Sequence, residues 1–251
     1  MQKSQMLSLP LLLVPLASGA DLAGVRVGAE AWSYDISGTA RYNSSDASND
    51  IDVNTDLGYS DDTLTTIYAV IEHPLPLLPN IRLSYSKVDT SANGTLRQTV
   101  VYGNVVFFAN ENVHSSLELE QTDVTLYYEL LDNIVSLDLG FNAKYIDSSA
   151  NITGEISGSE SADVSGLVPM LYAGVGVDLP FTGLSVGAEG SAVQYRDSEF
   201  YDYALRLRYT SPWHVGIDAG YRAIRLDLDD FDKSFANVEF DGPYAGLHLS
   251  F

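Results

Sequence analysis

Cysteine is absent from the 251 residues, and positive charge is scarce: 13 Lys and Arg stand against 34 Asp and Glu, a formal net charge of −21. Without cysteine there is no disulfide framework, no thiolate metal site and no lipid-anchored cysteine. So acidic a chain would be repelled by phosphate backbones, which argues against a nucleic-acid partner. Hydrophobic residues still make up 45%, which is ample for an ordered core and excludes a disordered acidic tail.

Long apolar runs are also missing, since a membrane-spanning helix needs about 20 consecutive apolar residues. The nearest candidate is residues 1–20, where a lysine precedes a short apolar stretch that ends in Ser-Gly-Ala. This order predicts a secretory signal peptide that is cleaved after Ala20. Residues 21–251 then form a single domain of an exported protein.

Alternation of apolar and polar residues with a period of two is abundant, and this pattern is typical of β-strands. From Val135 to Tyr145 every odd position is apolar, whereas the even positions are Ser, Asp, Gly, Asn and Lys. The same pattern predicts ten strands along the chain. They cover residues 22–37, 62–72, 80–90, 116–131, 134–147, 165–179, 183–196, 200–211, 213–226 and 238–251.

The polar strand faces distinguish a membrane barrel from a secreted β-sandwich. They are rich in glycine and in charges of both signs, which suits a cramped, hydrogen-bonded lumen with lipid against the apolar faces. Short turns also alternate with longer connections, as in bacterial outer-membrane barrels. The longer connections are residues 38–61, 91–115, 148–164 and 227–237. We therefore predict an all-β fold, a transmembrane antiparallel β-barrel of ten strands, with eight or twelve strands as alternatives.

The last strand ends in an aromatic residue that follows apolar residues at every second position. Gly246, Leu247, Leu249 and Phe251 resemble the C-terminal β-signal that the barrel-assembly machinery reads in outer-membrane proteins. Together with residues 126–145, this ending resembles an uncharacterised family of proteobacterial outer-membrane barrels, broadly outer-membrane protein W-like or OmpA transmembrane-domain-like. The resemblance implies a Gram-negative outer-membrane location, with membrane lipid, lipopolysaccharide and the assembly machinery as partners. It implies no catalytic residues.

Histidines provide the only hint of an enzyme. Ten strands is the number in omptin-type proteases, which use acidic pairs and a His–Asp pair at the extracellular rim, but only His114 is expected at that end. His114 and Ser116 share a strand face with Glu118 and resemble the His-x-Ser arrangement of outer-membrane lipid A deacylases. A lipid-modifying hydrolase is thus a remote alternative to a polar loop-to-strand junction. We predict no catalytic residue and no cofactor.

The connections at the outer end carry most of the negative charge. Asp227, Asp229, Asp230 and Asp232 offer carboxylate oxygens that suit a divalent cation, although no complete EF-hand loop accompanies them. Solvated acidic loops are the simpler interpretation. We therefore predict no metal site and keep these four residues as weak candidates.

Residues 95–110 are rich in β-branched and aromatic residues around a Gly-Asn pair that suits a two-residue hairpin turn. This pattern predicts a ribbon that continues the flanking strands outward from the membrane. Val105, Val106, Phe107 and Phe108 are its candidates for a partner-binding surface, because exposed apolar patches mark interaction sites. The alternative is that these phenylalanines pack over the barrel mouth as a lid.

The predicted inward faces carry nearly balanced charge, so we expect ion pairs to plug the lumen. The residues are Glu30, Asp123, Glu129, Asp138, Asp178, Glu189, Asp202 and Asp218 with Arg26, Arg82, Lys144, Arg206, Arg208 and Arg222. The predicted function is non-enzymatic, a structural or surface-interaction barrel whose extracellular ligand is unknown. A narrow channel for small solutes or ions is the alternative, because barrels of about 8 strands have filled interiors and wide porins use 16–18.

Overall fold

The computed structural model describes residues 24–75, 77–231 and 233–251. The predicted signal peptide, its cleavage point and Asp232 lie outside these ranges. No helix within them is long and apolar enough to cross a membrane. Ten strands form the wall: β1 (Gly24–Tyr42), β3 (Asp62–Glu72), β4 (Asn80–Thr95), β7 (Asn112–Asp132), β8 (Val135–Gly154), β9 (Gly158–Leu179), β10 (Leu184–Tyr195), β11 (Ser198–Thr210), β12 (Val215–Phe231) and β13 (Ser234–Ser250).

The wall is a closed antiparallel barrel in which each strand pairs with the next wall strand along the chain. Closure comes from β13 and β1, which pair from Arg26 opposite Ser250 to Tyr42 opposite Ser234. The predicted antiparallel ten-strand barrel is confirmed. Both ends of the described chain and the turns β3–β4, β7–β8, β9–β10 and β11–β12 lie at one rim, which we call the inner rim.

The two faces of each strand are inverted relative to a soluble protein. Leu139, Leu205 and Ile217 point outward and are exposed, whereas Lys144 and Asp218 point inward and are buried. A soluble sandwich would bury the first group and expose the second. Lipid must therefore cover the apolar faces, as predicted.

The outer ends of the strands run further than the sequence pattern predicted. The predicted long connection 148–164 is mostly the pairing of β8 with β9, which extends to Gly154 opposite Gly158. The predicted connection 227–237 is likewise mostly strand, in β12 and β13. These extensions escaped prediction because their outward residues are polar. Asn151, for example, donates hydrogen bonds to Ser159 and Ser161 across the strand pair.

The short strands β5 (Val100–Tyr102) and β6 (Val105–Phe107) form the predicted hairpin, but it is a separate two-stranded sheet. It does not project outward: the Phe107 side chain is 0% exposed and packs into the core cluster. The prediction of a projecting ribbon is therefore wrong, and the lid alternative is correct for Phe107. Val105 is half-buried, while Val106 and Phe108 are 45% and 51% exposed.

Candidate functional site

The inner half of the lumen is filled by charged side chains that reach across the barrel. Glu189 on β10 accepts hydrogen bonds from Arg82 on β4, at 2.7 Å, and from Arg206 on the neighbouring β11. The hydroxyl of Tyr172 donates to the same carboxylate, at 3.3 Å. Strands that are far apart in the wall are thereby tied through the interior.

A second cluster of the same kind surrounds Lys144, which is 1% exposed. Its Nζ lies 2.8 Å from Asp123 Oδ1 and 3.0 Å from Asp202 Oδ2. Asp202 is shared with Arg222, whose Nη2 lies 2.7 Å away. A buried ammonium group is stable here because two carboxylates compensate its lost hydration.

The third cluster lies nearest the inner rim and is built on Asp218. Its carboxylate contacts Arg208 Nε at 2.7 Å and His248 Nδ1 at 2.7 Å, and it accepts a hydrogen bond from the Tyr68 hydroxyl at 3.1 Å. Arg26 approaches Glu72 at 3.9 Å. All six basic residues expected in the lumen are thus paired with acids, which confirms the predicted ion pairs across the barrel. Among the eight predicted acids, Asp123, Glu189, Asp202 and Asp218 form these pairs, whereas Glu30, Glu129, Asp138 and Asp178 form none in the described chain.

Above this plug the lumen becomes apolar, and it encloses a cavity of about 550 Å³. Typical small-molecule sites measure about 300–1,000 Å³ and are mostly apolar. Eight of the ten wall strands contribute to the lining, all except β3 and β4. Representative lining residues are Ile36, Leu117, Leu119, Ile146, Ile152, Val168, Val193, Phe200, Ile224, Leu226, Val238 and Phe240.

A few polar groups interrupt the apolar lining. Ser115 and Gln121 on β7 are buried and border the cavity, where they can hydrogen-bond a ligand hydroxyl or carbonyl. Among the described lining residues, Glu199 is the one with a charged side chain, and it accepts a hydrogen bond from the Tyr201 hydroxyl. The site therefore offers no cation that would bind an anionic headgroup.

Two connections close the cavity at the outer end. We call residues 50–59, which include β2 (Ile51–Asp52), and residues 96–107 together the lid. Three side chains of the lid, those of Ile51, Leu96 and Phe107, point towards the cavity side and are fully buried.

Hydrogen bonds hold the lid to the rim: the Gly103 amide donates to the Tyr42 carbonyl at 3.0 Å, and the Asn104 amide donates to Glu160 at 3.1 Å. Within the lid, Arg97 Nε lies 2.8 Å from Asp56. Burial raises the pKa of Asp56, but the hydrogen bonds from Arg97 outweigh it and leave that pKa below its usual value.

A carboxylate next to the lid also ties two connections together. Glu111 accepts hydrogen bonds from the amides of Phe108, Ile156 and Ser157 at 2.7–2.9 Å, and from the Ser157 hydroxyl. Although burial raises its pKa, these donors lower the pKa of Glu111 to about 2. The β8–β9 turn is thus anchored to the segment that follows the lid.

The residues singled out as a possible hydrolase are not assembled as a pair. His114 Nδ1 lies 3.0 Å from the Asn93 side-chain oxygen, on the neighbouring strand β4. Among the described residues, the hydrogen-bond partner of His114 is therefore Asn93 and not Ser116. The one His–Asp contact in the described chain, His248 with Asp218, is buried in the plug and lies far from the outer rim.

The weak cation candidates do not come together either. In the ranges that the structure describes, no group of three or more His, Asp and Glu residues is arranged to hold a metal ion. The Asp227 carboxylate accepts a hydrogen bond from Asn237, at 3.4 Å, and Asp232 lies outside those ranges. Leu247, Leu249 and Phe251 of the predicted β-signal are exposed on the lipid face.

No protein-family model and no curated protein matches the sequence. Solved structures do match, among them the outer membrane protease OmpT from Escherichia coli, with a TM-score of 0.54, 12% identity and coverage of 91% of this chain and 97% of that one. The translocator domain of autotransporter NalP from Neisseria meningitidis matches with a TM-score of 0.48, 11% identity and coverage of 91% and 88%. The likeness to OmpT, at 12% identity, establishes the fold of an outer-membrane β-barrel and nothing about activity.

Proposed function

We propose that this chain is an integral outer-membrane protein that binds a neutral, largely apolar small molecule in the outer half of its barrel. The observation that carries the proposal is the apolar cavity of about 550 Å³ between the charged plug and the lid. Barrels of about eight strands already hold one small ligand when side chains leave room, and this wall has ten strands. The resemblance to outer-membrane protein W-like or OmpA transmembrane-domain-like barrels supports the proposed location and does not bear on the ligand.

The lining chemistry defines the class of ligand. Glu199 is the charged group among the described lining residues, so a carboxylate or phosphate ligand would be buried without a counter-ion, at a large cost. Ser115 and Gln121 fit a single hydroxyl or carbonyl group. A medium-chain alcohol, ketone or aromatic compound therefore suits the site better than a fatty-acid anion.

The plug argues against the alternative of a channel. Its ion pairs cross the lumen between β4 and β10 and between β8 and β11, and they occupy the path that ions would take. In planar bilayers we expect no steady conductance above about a few tens of picosiemens, in keeping with the filled lumen of small barrels. We propose a non-enzymatic function, which is supported by the hydrogen bond of His114 to Asn93 in place of the candidate nucleophile Ser116.

The test uses Trp32 as a reporter of binding. Trp32 lies in the apolar cluster between the plug and the cavity: its ring contacts Arg222 of the plug and Tyr34, which in turn contacts the cavity-lining residue Phe240. The other tryptophan, Trp213, is exposed at the inner rim, and Trp213→Phe leaves Trp32 as the sole reporter. In the purified protein we expect a terminally brominated dodecanol to quench Trp32 in a saturable way.

Two comparisons make this test specific. Ala150 lines the cavity and Ser149, its neighbour, points outward. Ala150→Phe should weaken binding about tenfold, since overfilling an apolar site costs about 1–3 kcal/mol, whereas Ser149→Phe should leave it unchanged. Brominated dodecanoate should bind at least about tenfold more weakly than the alcohol. Equal quenching in both variants, or tighter binding of the anion, would contradict the proposal.

A further inference from the structure

The wall has a notch between β9 and the β10–β11 hairpin. The pairing of β9 with β10 ends at Leu171 opposite Ala192, yet β9 continues through residues 158–170. Those residues pair with β8 on their other side as far as Gly158. Above Leu171, the edge of β9 that faces β10 therefore has no strand beside it in the described chain.

A comparable gap elsewhere in the wall is sealed. Strand β4 outruns β3, because their pairing ends at Thr65 opposite Lys87. The lid covers that gap so closely that a side chain at Gly58 would overlap the Asn93 carbonyl, and one at Gly94 would overlap the Asp56 carbonyl. Beside β9 the lid reaches the strand at Glu160, whereas nearer the membrane an added Cβ at Gly166 would meet nothing in the described chain within 4 Å.

The cavity extends into the notch. On β9 its lining includes six consecutive residues, 164–169, whose side chains point alternately inward and outward. Consecutive residues line the cavity on fully paired strands as well, so it is the position of these six beside the unpaired edge that places the cavity at the notch. At Gly166, which faces inward, an added Cβ would meet no other heavy atom of the described chain within 4 Å, so the lumen is open at the level of the notch. On the opposite side of the notch lie Tyr195 and Ser198.

The notch begins at the level of the membrane surface. The outward residues of β9 are apolar from Leu167 to Leu179 and become polar at Ser165 and Asp163. Leu167 and Leu171 are both 65% exposed, so they form the upper margin of the lipid-facing band. A molecule dissolved in the outer leaflet would therefore meet the notch without crossing water.

We propose that this notch is a lateral portal through which a neutral apolar molecule passes between the outer leaflet and the cavity. The proposal rests on the proposed function, since it concerns entry to the same cavity. Charged side chains occupy the axial path from the inner rim, where the remaining space of about 100 Å³ is lined by polar groups unsuited to an apolar molecule, and the lid covers the axial path from outside. The side opening is the path that remains for an apolar molecule.

The test blocks the notch reversibly. The chain has no cysteine, so Ser165→Cys, at an exposed outward position beside the notch, creates a unique thiol that a bulky aromatic methanethiosulfonate can modify and a reductant can restore. Stopped-flow quenching of Trp32 by brominated dodecanol, in lipid nanodiscs and the Trp213→Phe background, gives both exchange rates. We expect modification to slow association and dissociation by about tenfold with little change in Kd, because an entrance alters rates and not the bound state.

The matched control places the same group on the lid. Val106 is exposed there, and modified Val106→Cys should exchange as fast as unmodified protein. Slow exchange on lid modification together with unchanged rates at position 165 would overturn the portal while leaving the binding function intact. A higher Kd at position 165 without slower exchange would also overturn it. Absence of saturable quenching in unmodified protein would overturn the binding function, and the portal with it.

Discussion

Lys144 offers the sharpest test of whether the charged plug is dry. Its Nζ contacts Asp123 and Asp202 at 2.8–3.0 Å, and its side chain is 1% exposed. Lys144→Met removes the ammonium group but keeps the length of the side chain, and it leaves Asp123 without its cation. Removing one partner of a buried ion pair destabilises by about 3–5 kcal/mol. With an m-value of about 2 kcal/mol/M, the urea midpoint should fall by about 2 M.

A second lysine provides the matched control. Lys87 Nζ lies 2.7 Å from Glu120, but the two side chains are 43% and 46% exposed, and such surface pairs contribute about 0–1 kcal/mol. Urea unfolding in lipid vesicles, followed by Trp32 fluorescence, should therefore move little in Lys87→Met. Adding Asp123→Asn to Lys144→Met should recover part of the loss. If the two lysine variants unfold alike, the plug is hydrated and the argument from burial fails.

Three further expectations follow from the wall, the lid anchor and the lid surface. Leu139→Arg places a charge against lipid at a cost of about 2–4 kcal/mol, so heat-modifiable folding should fail there sooner than in Ser136→Arg on the inward face. The pKa of Glu111 is about 2, so the stability that its hydrogen bonds provide is fully present above the usual carboxyl pKa of about 4 and is lost as the pH falls towards 2. Hydrogen exchange of the β8–β9 turn should therefore accelerate between these pH values. Glu111→Gln should remove this pH dependence. If the exposed Val106 and Phe108 bind a partner, serine at both positions should abolish cell-surface adhesion and leave folding intact.

The strand pattern sufficed for the barrel because lipid and lumen impose one phase of alternation on every strand. Leu139 outside and Lys144 inside follow the same rule as Leu205 and Arg206. The basic residues of the plug were also predictable, since charges on an inward face must find partners. Their particular partners were not, because the contact between Arg82 and Glu189 depends on the curvature of the whole wall.

The cavity was missed although the sequence carries a signal for it. On β7, Asp123 is inward and Val124 outward, yet further out Leu117 and Leu119 are the inward residues, and Glu118 and Glu120 are the outward ones. The phase of the apolar residues thus reverses within the predicted strand 116–131, and assigning one inward face to the whole strand hides the reversal. On β8 and β9 the predicted strands end at residue 147 and begin at residue 165, where the outward residues become polar.

That reversal divides the barrel into two parts that are stabilised differently. In the inner part, lipid surrounds the wall and paired polar side chains fill the lumen, so ion pairs and hydrogen bonds hold the strands in their positions. In the outer part, β7 and β8 present Glu118 and Asp147 outward, with Leu117 and Ile146 inward, as a soluble β-barrel does. Burial of apolar surface against the lid stabilises this part. An apolar ligand would add to the same burial, so the feature that folds the outer half of the barrel also makes it suited to binding.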